Sequence, residues 1–349
     1  MSKESSSGLA GNDEEKRGGK DPLEIIKKHH YVWAQYLKQW AHGDNVWYIS
    51  SKGGNIRSDS IYGRSQDLHF YKISPLDERD VQFIERLPTS DSPVVKKFHA
   101  SQLEFFRKVS ILINAHSTLE HVVREEDKEE LRKLSEWASN NALEKTYTAI
   151  ELLARPIMDE LWKGDASCLK IRSNMVNFCN YLAHQLARTK KMRDRTFELM
   201  NNVNQDNEQW VEHVKLFEKN WWFVAYKTGI NLGFGLEQSA DTANHILVRN
   251  TTSIDFITSD HPVINVHKCA QGAAAEQVVE KLDLYYPLSP KLAYMMNDSE
   301  HYNHLRYFVN EEDVINLNRL MANSAYRNVY GSSEQALKDV RKSYRKLKT

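Results

Sequence analysis

The spacing of apolar residues changes along the chain, and each change marks a different kind of element. In "HYVWAQYLKQWA", Val32, Tyr36, Leu37 and Trp40 recur at helical spacing, and Gly43-Asp44 ends the run. "NVWYISS" alternates as a strand does, "KGGN" signals a tight turn, and "IRSDSI" reads as the returning strand. "LHFYKI" is a third short strand candidate, so a small antiparallel sheet is expected between about Val46 and Ile73. From Asp77 to about Lys227 the pattern is helical. "DERDVQFIERL" opens with an acidic first turn, and "VVKKFHASQLEFFRKVSILINAH" carries Val95, Phe98, Phe105, Phe106, Val109, Leu112 and Ile113 at three- and four-residue spacing. The stretch from Arg124 to Trp162 is charged and then amphipathic, with Pro156 expected to kink or break it. "CLKIRSNMVNFCNYLAHQLARTKKMRDRTFELM" is one long helix or two.

After Asn244 the strand pattern returns. "HILVRNT" and "SIDFITSD" are short and β-branched, and "LDLYYPLSP" and "LAYMMN" read as strands joined at a Pro-Ser-Pro corner. A last helix opens at Asn310, a cap followed by Glu311, Glu312 and Asp313. The expected fold is therefore α+β and mainly helical. A small, mostly antiparallel sheet is built from N- and C-terminal segments around a helical middle. Residues 1–20, polar and rich in Gly and Ser, read as a disordered tail. Residues 21–335 form one α+β domain with a helical insertion at about 77–227, and 336–349 form a basic C-terminal helix or tail.

Composition narrows the function classes. Forty-seven basic residues balance 47 acidic ones, so no overall field draws the chain to nucleic acid or an anionic membrane. The 3 cysteines form no C-x-x-C pair, which suits reduced thiols in a cytoplasm. No apolar run is long enough to span a bilayer, and the N-terminus lacks the apolar stretch of a secretory signal. Phosphate-loop, dinucleotide-binding, H-E-x-x-H and G-x-S-x-G signatures are all missing from the sequence.

Four groups of residues carry candidate chemistry. His29-His30 is expected at a helix start, where an imidazole acts as base, acid or ligand, or else is merely exposed or capping. Ser259-Asp260-His261-Pro262 ends a strand. There Asp260 orients a histidine, binds a metal or acts as a base, unless it only caps a turn. Gln185 and Arg188 share a helix face, and Arg188 suits a bidentate phosphate or carboxylate clamp, against the alternative of a solvated basic helix end. Asn323 and Arg327, expected four apart on the last helix near Asn316 and Asn318, favour polar links inside the fold.

Taken in order, "HYVWAQYLKQW", "SIYGRSQDLHFY", "LAHQLARTKKMR", "FITSDHPVI", "YYPLSPKL" and "LNRLMANSAYRNVYGS" resemble the bacterial domain of unknown function 4238 family. The resemblance runs from His30 to about Ser332. It carries over His30, Gln185, Arg188, Asp260, Pro262, Pro287, Ser289 and Arg327. It departs at Trp33, where that family usually has proline, and the segment from about His121 to Trp162 looks like an elaboration. What the resemblance implies is an architecture and a shared polar site, not a reaction.

The leading expectation is an intracellular hydrolase, a nuclease-like effector of the toxin or phage-defence type acting on a phosphate-containing substrate such as nucleic acid. His30, Asp260 and Gln185 would be catalytic, and Arg188, Ser259 and Arg327 would bind substrate. Asp260 would hold Mg²⁺ or Mn²⁺ if a metal takes part. The rival is a non-enzymatic module that binds a small anionic ligand or a partner protein, in which the same residues form a structural network.

Overall fold

The computed structural model describes residues 23–51, 54–203, 207–270 and 280–346. The expected tail at 1–20 lies outside them, as does part of the "KGGN" turn. The chain is mainly helical α+β, and every strand pairing among the described residues is antiparallel. The strands described fall into three sheets rather than one. Strand β1 (Lys28–His30) pairs with β4 (Gln66–Leu68). A second sheet has the order β3-β2-β10-β6, joining the hairpin β2 (Asn45–Ser50) and β3 (Arg57–Ser60) to β6 (Thr258–Ser259) and β10 (Asn328–Gly331). Val329 lies opposite Ile49 and Ser259, so this sheet ties the two ends of the chain together. The third, β5-β9-β8-β7, comes from the C-terminal part alone: β5 (Asn244–Arg249), β7 (Ile264–Asn265), β8 (Asp283–Ser289) and β9 (Leu292–Asn297).

Between these strands run α2 (Glu78–Arg86), α3 (Pro93–Leu119), α4 (Glu125–Trp162), α5 (Arg172–Ala187), α6 (Lys190–Asn201), α7 (Glu208–Lys219) and α8 (Trp221–Ser239). Local rules explain several ends. Asp77 and Asn310 each close a capping box, with Asp80 and Asp313 as the reciprocal acids. Helix α5 packs along α8 because Gly229 leaves room for an imidazole: a Cβ there would lie 2.2 Å from His184 Nδ1. Helix α9 (Glu311–Ser324) and α10 (Glu334–Lys346) cover the second core, around Ile257, Val329, Leu317 and Leu337.

Several expectations are corrected here. His29 and His30 stand in β1, not at a helix start. Their backbones pair with Asp67 and Gln66, and the short helix α1 (Ala34–Leu37) begins only after Trp33. "LHFYKI" leaves the sheet after Leu68, because His69 takes a left-handed φ of 56° and turns Phe70 and Tyr71 into the core. Only Thr258–Ser259 of "SIDFITSD" joins a ladder. Just before it, Ile257 N–H donates to Asn318 Oδ1, and Asn318 Nδ2 donates to the Asp255 carbonyl. Arg327 lies beyond the last turn of α9, not on it. Pro156 does not break its helix, which continues to Trp162. On α3 the inward stripe is Val95, Leu103, Phe106 and Val109, while Phe98, Phe105 and Leu112 face outward.

Candidate functional site

One face of α4 presents Glu144, Tyr147 and Glu151, which lie three and four apart and therefore line up. Helix α5 lies against it and brings Tyr181, His184, Gln185 and Arg188 on successive turns. The Arg188 side chain is fully buried and pairs with Glu151. Its guanidinium lies 5.0 Å from the Tyr147 ring centre, a cation–π contact. Tyr71 closes the cluster: its ring packs 4.7 Å from Tyr147, and its hydroxyl donates to the Arg188 carbonyl at 3.2 Å. Strand β1 borders it: the His30 backbone is close enough to pull the Glu144 carboxyl down slightly, and Arg188 close enough to lower the His30 imidazole. Among the described residues, Glu144 Oε2, the Tyr147 hydroxyl, both His184 ring nitrogens, both Gln185 amide atoms and Arg188 Nε are buried with no hydrogen-bond partner. Buried polar atoms are normally satisfied, and such a concentration of exceptions is unusual.

Burial sets the charge states. It pushes the Glu144 carboxyl up to about 7, with Glu151 adding to the effect and Arg188 opposing it. His184 is fully enclosed and is pushed down to about 3 by burial and by Arg188, so it is neutral at physiological pH. His30 is lowered by burial and, more weakly, by Arg188 and Lys28, although the Tyr62 carbonyl opposes this. Burial disfavours the Arg188 charge as well, but Glu151 overcomes it and the guanidinium stays ionised. The cluster thus combines a fixed cation with a carboxyl that can be present in either form near neutrality.

Of the residues singled out by sequence, His30, Gln185 and Arg188 come together in this cluster. Asp260, Ser259 and Arg327 belong to a neighbouring network. Asp260 is buried, and Oδ1 accepts the Tyr326 N–H at 2.9 Å while Oδ2 accepts those of Arg327 and Asn328 at 2.7 and 3.1 Å. Burial raises its carboxyl; the three N–H donors and Arg327 pull the other way. Three backbone donors on this one carboxylate latch the α9–β10 loop to the end of β6. Among the described residues, no group of three or more His, Cys, Asp or Glu side chains is placed to hold a metal ion. Ser259 is buried and bonds to the His261 carbonyl and N–H, closing a local turn. Arg327 is half-exposed and faces Asp67 at 3.5 Å.

The two networks meet at Thr189. This residue caps α6 by accepting the Met192 N–H, and its Oγ1 also hydrogen-bonds His261 Nδ1 at 2.9 Å. The residues after Arg188 are therefore drawn against the strand end that carries Asp260, and Lys191 Nζ donates to the Ser324 carbonyl at 2.7 Å. Trp33 has φ −61°, a value that proline also takes. The indole is used for packing: it stacks on Trp162 at 6.2 Å and meets Tyr181 edge-on at 5.8 Å.

Sequence reasoning missed Glu144, Tyr147 and Glu151. Their spacing marks a face of α4, but acidic residues are common along that helix, and nothing local says which of them is buried.

Fold and site together define a mainly helical α+β protein with a buried, partly unsatisfied polar cluster between two helices. The chain belongs to the family described as "Protein of unknown function (DUF4238)", whose model matches residues 28–335. No curated protein and no solved structure matches it. Among the described residues, no helix is long and apolar enough to cross a membrane.

Proposed function

We propose that the chain is a hydrolase of a phosphate-containing substrate, with its acid–base chemistry at Glu144 rather than Asp260. The observation that carries this reading is the placement of a carboxyl that burial pushes up to about 7 near a buried, permanently charged guanidinium, amid polar atoms that have no partner among the described residues. Deprotonated Glu144 accepts a proton from a water that attacks phosphorus, then returns it to the departing oxygen. Arg188 stabilises the charge that develops on the phosphoryl oxygens. Gln185, one turn before Arg188, positions the water or the substrate through its amide. His30 stands at the edge of the site, its imidazole lowered by burial and, more weakly, by Arg188. The finer form of the proposal is a nuclease-like effector.

The test uses purified full-length chain with RNA, single-stranded DNA and duplex DNA, with and without Mg²⁺ or Mn²⁺. Glu144→Gln should lose at least about 100-fold in rate, the usual size of an acid–base contribution. Full activity in that variant, or no activity of the parent protein on any of these substrates, would overturn the reading.

A second reading has its own support. Glu151 already pairs with Arg188, and Tyr71, Tyr147 and Tyr181 wall the pair in. On this reading the cluster binds a small anionic ligand, or a partner's acidic group, without turnover. Inorganic phosphate would then raise the melting temperature of the parent protein and not that of Arg188→Ala.

A further inference from the structure

Helix α3 carries a second apolar stripe, on the side turned away from the core. Val94, Phe98, Phe105, Leu112 and Leu119 are each between 40 % and 74 % exposed. The last four recur at seven-residue intervals, and Val94 precedes Phe98 by four residues. A straight helix drifts only about 20° per heptad, so the five side chains keep to one narrow face along the whole of α3. Apolar residues held to a seven-residue repeat form the seam that a second, supercoiling helix packs against. The seam positions between them are Ser101, Lys108 and Ala115, and Lys108 is already paired with Glu104 at 3.7 Å.

Charge along the hairpin of α3 and α4 says which way the second helix runs. The first turns of α3 carry Lys96 and Lys97, whereas the far end, from Glu120 to Asp127, carries Glu120, Glu125, Glu126 and Asp127 against Arg124. Lys96 reaches Asp91 at 3.4 Å and Arg124 reaches Glu126 and Asp127, while Lys97 and Glu120 form no ion pair among the described residues. A parallel copy of α3 would set lysines beside lysines and acids beside acids. An antiparallel copy that seats Phe98 against Leu119 and Phe105 against Leu112 brings Lys97 level with Glu120 at both ends.

We propose that this face of α3 is a dimer interface, in which the helix pairs antiparallel, about a two-fold axis, with α3 of a second copy of the chain. The pairing is independent of the hydrolase reading. Each contact face is roughly 40 Å long and about 10 Å wide, so the two together bury an area on the order of 1,000 Å², near the lower bound for a specific contact. The dimer is therefore expected to exchange with monomer at micromolar concentration.

Sedimentation velocity of the full chain from about 1 to about 100 μM should show monomer passing to dimer. Phe105→Glu and Leu112→Glu, each at an exposed position, should keep the parent's far-UV circular dichroism and weaken association about 30-fold or more. Under mild oxidation Lys108→Cys, near the two-fold axis, should form a disulfide-linked dimer. Ser101→Cys, roughly 20 Å from its copy at about 1.5 Å per residue, should not. A chain that stays monomeric over this range overturns the proposal, whether residues 1–20, another protein or nothing covers the stripe. So does a dimer that both glutamate variants leave intact. Equal linking of the two cysteine variants, or none, overturns the antiparallel pairing.

Discussion

Glu144 makes a prediction about stability that does not require knowing the substrate. Its carboxyl moves from an ordinary 4.5 to about 7 on folding, chiefly because the charged form is buried. Between those values the folded chain holds a proton that the unfolded chain has released. Stability must therefore fall as pH rises through this window. The shift corresponds to about 3 kcal/mol, from about 1.4 kcal/mol for each pKa unit. Glu144→Gln is close to isosteric and cannot ionise. Urea melts of both proteins from about pH 4 to about pH 8 isolate the effect, because every other titrating group is common to the two. The variant should gain up to about 3 kcal/mol on its parent across the window, nearly all of it between pH 4.5 and 7. A stability difference that stays flat would show that Glu144 ionises at its ordinary value, and the acid–base role would lose its basis.

The same geometry sets three other outcomes. Asp260→Asn places an amide N–H₂ against backbone donors that now share a carboxylate, and should cost about 2–4 kcal/mol in a denaturant melt; an unchanged melt would refute the latch. Arg188→Ala strands Glu151 in the core and should cost about 3–5 kcal/mol, part of which returns when Glu151→Gln is added. Gly229→Ala drives a methyl group into the His184 ring and should cost about 1–3 kcal/mol, with partial rescue by His184→Ala; equal melting of Gly229→Ala and the parent would mean that α8 shifts freely past α5.

How much was legible in the sequence depends on how far each feature's partners lie along the chain. The cap at Asn310, the acidic helix start at Asp77 and the antiparallel strands were readable because turn chemistry and alternation act over a few residues. His29-His30 was misplaced because the deciding partners, Gln66 and Asp67, lie in another segment. The same limit shaped the site. Gln185 and Arg188 share a face by spacing alone, and the family resemblance added His30. Yet Arg188 keeps its charge chiefly through Glu151, on a 38-residue helix whose sequence holds many acids and no mark of which are buried. Asp260 shows the converse. A strand-end Asp before His-Pro looks reactive, but the donors that fill it come from Tyr326, Arg327 and Asn328, more than sixty residues on. Since these donors are backbone groups, no choice of side chain at 326–328 could have disclosed them. A carboxylate whose partners are main-chain N–H groups holds a loop, whereas one left with an unpartnered oxygen beside a guanidinium has capacity for chemistry. That contrast is the reason the proposal places the acid–base group on α4 and not at the strand end.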